Sequence, residues 1–177
     1  MISFLRKLGR DRRGVSAVEF ALIAPAMVAS YFGMAEITQA LLAERKAAHA
    51  ASAIGDLVAQ SSAVSSSDIT DIFSIASTIM SPYETTTLKM RVSSVTADSG
   101  GVAKVDWSSG DGLTALTTGS TVTGIPSGVI SAGQSVVMSE VTYSYDSPVD
   151  MMMPNAVTFS RKFYLRPRKS DMVAKTN

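Results

Sequence analysis

Residue types able to do chemistry are few among these 177 residues, and they are unevenly placed. The chain has no cysteine, which excludes disulfides, thiolate metal sites, cysteine nucleophiles and lipidated cysteines together. His49 is the one histidine, so no histidine pair exists for zinc or for an acid–base relay, and it reads as an exposed or rim residue. What stands out is a carboxylate in an unfavourable place: Glu19 is the only charged residue between Val15 and Ala35. An ionised side chain at depth in a bilayer costs about 2.5 kcal/mol or more, so such a residue is a functional candidate by default. The chemistry on offer is the burial or pairing of that one charge. No spacing commends a Ser/Lys or paired-carboxylate catalytic site, so the chain reads as a non-enzyme without cofactor or metal.

These residues need a helix to space them and a membrane to give their charges meaning. Residues 1–14 carry Arg6, Lys7, Arg10, Arg12 and Arg13 against Asp11, leaving eleven basic and fourteen acidic residues for the rest of the chain. With a net charge of +1 overall, bulk charge does not argue for nucleic acid. The apolar run that follows the basic block would make a helix of about 31 Å, close to the roughly 30 Å hydrocarbon core. Basic residues before an apolar span stay on the cytoplasmic side, which puts the N-terminus inside and everything after about Glu36 outside.

Three readings fit this segment. A secretory signal would be cut near Ala24-Pro25-Ala26, although its apolar region would then be short and interrupted by Glu19. A plain single-pass anchor satisfies the length but leaves the glutamate unexplained. The third reading comes from Arg12-Arg13-Gly14-Val15-Ser16-Ala17-Val18-Glu19-Phe20, which resembles the processing site of type IV prepilins, and in its Glu-Phe pair the TadE-like minor pilins or pseudopilins of the Flp/Tad branch. That resemblance implies cleavage between Gly14 and Val15 by a prepilin peptidase, with the apolar helix kept on the mature protein. It implies a structural role in pilus assembly, with other pilin or pseudopilin subunits, the inner-membrane assembly platform and the lipid bilayer as partners. Adhesion or filament priming would be the finer task. Glu19 would pair with the Val15 ammonium of a neighbouring subunit and set the axial register; the alternative is that it snorkels to its own leaflet. Pro25 removes one intrahelical bond and is expected to bend the helix.

Beyond the span, residues 36–60 contain no proline and are rich in strong helix formers. Ala47, Ala50, Ala51, Ile54, Leu57 and Val58 recur at three- and four-residue spacing, an apolar stripe suited to packing on a sheet. A serine-rich break at 61–67 precedes a short helix expected over Ile69–Met80, with Asp68 as its cap and Ile69, Ile72, Phe73, Ile75, Ala76 and Ile79 as its stripe. The period then changes to two around Leu88–Val92, Ala103–Trp107, Val141–Tyr145 and Val157–Leu165, with a hairpin expected across Gly100-Gly101. Arg161 breaks the last apolar row and marks an edge, an ion pair or a different register.

Helices first and strands after give an α+β class: a long N-terminal helix, a short second helix and an antiparallel sheet of about four strands, pilin-like. The stretch 108–134, with Gly110-Asp111-Gly112 and Gly119-Ser120, lacks the lysine of a phosphate loop and reads as a long surface loop. Met151-Met152-Met153 is either a contact patch or tucked under the sheet. Arg161, Lys162, Arg166, Arg168 and Lys169 form a basic cluster, suited to a neighbour's charge or merely solvated, and Arg166-Pro167-Arg168 resembles the ending of TadE-like proteins. The expected organisation is a basic leader over 1–14, a transmembrane assembly helix over 15–35 and an extracytoplasmic head over 36–177, in the bacterial inner membrane or on a surface pilus. An uncleaved, membrane-anchored periplasmic scaffold is the other organisation the sequence allows.

Overall fold

The computed structural model describes residues 14–150 and 152–176. Helix α1 runs unbroken from Val15 to Ala59, through Pro25. Its two halves obey different rules. From Gly14 to Phe32 the residues are exposed apart from half-buried Ala24, and the apolar side chains point in every direction. From Gly33 onward burial follows one stripe, Gly33, Glu36, Ala40, Ala43, Ala47, Ala50, Ile54 and Val58, at the three-and-four spacing of a helix face. Five of these eight are Gly or Ala, so the helix lies close to what it covers. At Gly55 a Cβ would meet Leu165 Cδ1 and, at 2.9 Å, Ser139 Oγ. Ser139 itself donates a 2.7 Å hydrogen bond to the Ala51 carbonyl, joining sheet to helix through their backbone neighbourhood.

After β1 (Ala63–Val64), α2 spans Ser66–Ile79. Its cap is Ser65, not Asp68: Ser65 Oγ accepts from the Asp68 N–H at 3.1 Å, and Asp68 Oδ2 accepts from the Ser65 N–H at 2.8 Å. This reciprocal capping box moves the start upstream of the expected one, with Asp68 at its third position. Ile69, Ile72, Phe73 and Ala76 are buried, whereas Ile75 is 50% exposed because it lies off the i, i+3, i+4, i+7 stripe. The far end is tied to α1 by Lys46 Nζ, which donates to the Ile79 carbonyl at 3.1 Å and places a cation at the negative end of the helix.

The sheet contains β2 (Lys89–Ala97), β3 (Ala103–Asp111), β4 (Ser135–Tyr145) and β5 (Val157–Leu165), antiparallel throughout in the order β3-β2-β4-β5. The β2–β3 hairpin closes as expected, with Gly101 at φ +80° and the Asp98 carboxylate accepting from the Gly100 and Val102 N–H groups. One register shift matters: opposite Ser94 and Val95, Asp106 is an extra residue, so Ala103 joins the outer cluster and Trp107 the helix-side cluster. Trp107 does not share a face with Ala103 and Val105, as plain alternation would have it. Its Nε1 donates to the Val173 carbonyl at 2.7 Å, pinning the C-terminal tail, where β6 (Ala174–Lys175) pairs parallel with β1.

The stretch after β3 is not simply an exposed loop. Leu116, Val122, Ile125, Val129 and Ile130 pack on Val95, Ala103, Val136 and Met138, covering the sheet face opposite the helices. With both faces covered, β4 begins at Ser135, upstream of the alternating stretch, and Val136, Val137 and Met138 are all buried. The α+β class, the two helices and the four antiparallel strands are those the sequence implies.

Candidate assembly helix and the foot of the head

Gly14 adopts an αR conformation at the N-cap and makes no side-chain cap. No described residue lies within 4 Å of where its Cβ would be. The basic residues preceding it lie outside the described residues. Val15 and Glu19 both sit on the exposed half of α1, four residues apart and hence one turn along the same face. The Glu19 side chain forms no hydrogen bond or ion pair with any described residue. The chain thus presents this carboxylate outward on an otherwise apolar rod. Pro25 is accommodated within the same continuous helix.

The rod enters the head through a collar. Gly33 is buried because Met152 lies across it, close enough that a Cβ would meet Met152 Cγ at 2.8 Å. One turn further, Glu36 is only 2% exposed. Its Oε1 accepts from Ser147 Oγ at 3.1 Å and its Oε2 from the Met152 N–H at 2.7 Å, so a buried carboxylate organises the loop after β4 around the helix. Of the methionine triplet, Met152 therefore contacts the rod and Met153 packs against the helix-side core, while Met151 lies outside the described residues. Glu36 did not stand out in the sequence, where it is simply the first charge after the span. Its place three after Gly33 and four before Ala40 was the available signal.

Further along, the basic C-terminal residues turn inward. Arg161, on the edge strand β5, pairs with Glu44 of α1. Arg168 pairs with Asp56, and its N–H donates to the Ala59 carbonyl at the helix end. Lys162 Nζ lies 2.7 Å from Glu140, which Arg91 also binds at 2.6 Å. Burial works to raise the Glu140 pKa, but hydrogen bonds and charge from Arg91 and Lys162 outweigh it and the net displacement is downward. Three of the five clustered cations are thus spent on the chain's own acids, which leaves neither a merely solvated tail nor a free basic patch.

Below the sheet, a groove of about 830 Å³ opens between α1 and the 82–87 and 143–149 segments. Tyr31, Tyr83, Tyr143 and Tyr145 line it, four of the chain's five tyrosines, with the carboxylates Glu36, Glu84 and Asp146. The Tyr83 and Tyr145 rings meet edge to face at 5.9 Å. Burial first, then the neighbouring Tyr145, pushes the Tyr83 and Tyr143 hydroxyls above the ordinary phenol value, and Tyr83 and Glu84 add to this at Tyr143. At Tyr145 burial acts first, opposed by a hydrogen bond with Ser147 and reinforced by Glu36 and Asp146. Among the described residues no group of His, Asp or Glu could hold a metal ion.

Residues 14–55 match the family model described as TadE-like protein. The match begins on the glycine of the Arg12–Phe20 motif and follows α1 almost to its end. The resemblance read from that motif is therefore borne out over this segment, and the family is a pilus-associated one. No curated protein and no solved structure matches the chain. α1 is long and apolar enough to cross a membrane, with none of its most apolar window buried, which fits a single-pass anchor.

Proposed function

We propose, starting from the TadE-like match over residues 14–55, that this chain is a minor pilin or pseudopilin of a Flp/Tad-type assembly. In this reading it enters the inner membrane with its N-terminus inside and is cut between Gly14 and Val15 by a prepilin peptidase. It then joins the assembly through the exposed half of α1. The observation that carries the reading is the two-sided character of that helix: apolar and uncovered to Phe32, then one-sided and packed into the chain's own head from Gly33. A soluble protein has no use for such a rod, whereas a bilayer or a bundle of like rods would cover it. Glu19 supplies the register. Against the Val15 ammonium of a neighbour at about 4 Å, with an effective dielectric of about 20, the attraction is about 4 kcal/mol, and it is lost when the stagger slips.

Mass spectrometry of the mature N-terminus tests the processing step. A start at Val15 is expected. An intact Met1 would mean an uncleaved anchor and a start near Met27 a secreted domain, and either would overturn the reading. In cells, Glu19→Ala is expected to be processed yet lost from filaments released by shearing. Normal recovery of that variant in the sheared fraction would remove the pairing role.

A further inference from the structure

The groove at the foot of the head has a composition that its structural surroundings do not require. Four tyrosines and three carboxylates line it, and no lysine or arginine among the described residues does. Two of the carboxylates, Glu84 and Asp146, are exposed at the mouth. Tyr83 is engaged with Gln39, whose side-chain and backbone oxygens lie at 2.9 and 3.1 Å from its hydroxyl. Tyr143 is different. It is 4% exposed, it lines the groove, and its hydroxyl has no hydrogen-bond partner among the described residues. No buried side-chain polar atom among the described residues lacks a partner, so this hydroxyl reaches the water of the groove and is free to bond a ligand there.

Aromatic faces and edge carboxylates together are the recognition chemistry of an organic cation. An ammonium has three N–H donors for the Tyr143 hydroxyl and the Glu84 and Asp146 carboxylates, and its charge is attracted by the ring faces. Position indicates where that ammonium comes from. Tyr31 and Phe32 form one wall and stand about 25 Å along α1 from Val15, near the far end of a roughly 30 Å hydrocarbon core. Tyrosine is enriched at this interfacial depth. The groove therefore opens where headgroups of the outer leaflet lie.

We propose that this groove is a lipid site, taking the ammonium of an aminophospholipid headgroup such as phosphatidylethanolamine. An anionic headgroup without an amine is repelled by the same carboxylates, so the site discriminates between the two lipids. The inference rests on the membrane-spanning reading of α1.

The test uses the full chain reconstituted in nanodiscs of equal phosphatidylethanolamine and phosphatidylglycerol, followed by native mass spectrometry of the lipids it retains. The ratio of ethanolamine to glycerol lipid retained is expected to exceed the bulk ratio about tenfold, the scale of one desolvated cation–π and carboxylate contact. Glu84→Gln combined with Asp146→Asn should return the ratio to bulk, and Tyr143→Phe should lower it while keeping the ring. Unchanged Trp107 fluorescence shows that each variant is folded. Retention at the bulk ratio by the unaltered chain overturns the proposal. So does protection of 82–87 and 143–149 from hydrogen exchange by a lysine-rich peptide but not by the lipid, which would make the occupant a protein. Extraction of the chain by alkaline carbonate is a separate result: it defeats the spanning reading, and the lipid site falls with it.

Discussion

Glu36 should act locally, and its effect can be worked out from its contacts. Replacing it with alanine removes the acceptor of the 2.7 Å bond from the Met152 N–H and the 3.1 Å bond from Ser147 Oγ. A hydrogen bond to a charged group contributes about 1.5–3 kcal/mol, so the Met152 amide should exchange with solvent about ten- to a hundredfold faster. Global stability should move less, because losing a buried carboxylate also removes its desolvation cost. Glutamine keeps the shape: its carbonyl can accept from Met152 and its amide can donate to Ser147, whose hydroxyl works in either direction. Glu36→Gln should therefore lie much nearer the unaltered chain than Glu36→Ala. The assay is amide exchange across 146–153, with Trp107 fluorescence following the whole head. An unchanged Met152 exchange rate in Glu36→Ala would refute the claim that this carboxylate holds the collar.

Two further outcomes follow from the helix–sheet contact and from the ion cluster on the outer face. At Gly55, alanine brings about 1 kcal/mol of helix propensity, but its Cβ meets Leu165 and Ser139, and Ser139 is held by its bond to Ala51. Overpacking costs about 1–3 kcal/mol, so Gly55→Ala should lower the head's unfolding temperature, and a rise would contradict the packing argument. Glu140 has a depressed pKa in the folded chain, so its stabilisation is present above the unfolded carboxylate value and is lost as pH falls through the folded one. Stability measured by denaturant titration should fall with pH in the range below about 4.3, more steeply than in Glu140→Gln, which lacks this titration. Equal slopes would show that Glu140 does not contribute.

How much of this was legible in the sequence depends on whether a feature is local. Glu19, Gly14 and the apolar run are read from neighbours in the chain, and α1 and the β2–β3 hairpin follow from period and glycine alone. What stayed hidden needed a partner distant in sequence. Val136-Val137-Met138 does not alternate, because the loop of Leu116 to Ile130 buries the face that alternation assumes is wet. Trp107 changes sides because Asp106 is an extra residue opposite β2, and Ser94 and Thr96 both donate to its carboxylate. The basic C-terminal cluster looked available until Glu44, Asp56 and Glu140 were brought against it by the fold.

Glu19 and Glu36 of the first helix show why one unbroken rod serves better than an anchor tied to a head by a linker. Glu19 and Glu36 are seventeen residues apart, about 25 Å along a helix. The first faces outward with no partner among the described residues, and the second is closed inside the chain's own collar. A linker would let the head drift relative to whatever holds Glu19. The packed rod does not, because the head grips it at successive levels: Met152 at Gly33, Arg161 at Glu44, Lys46 at the end of α2 and Arg168 at Asp56. Any contact that fixes the height of Glu19 then fixes the height of the sheet and of the tyrosine groove as well. If Glu19 sets the register as proposed, that register is carried, without a hinge, to the far side of the head.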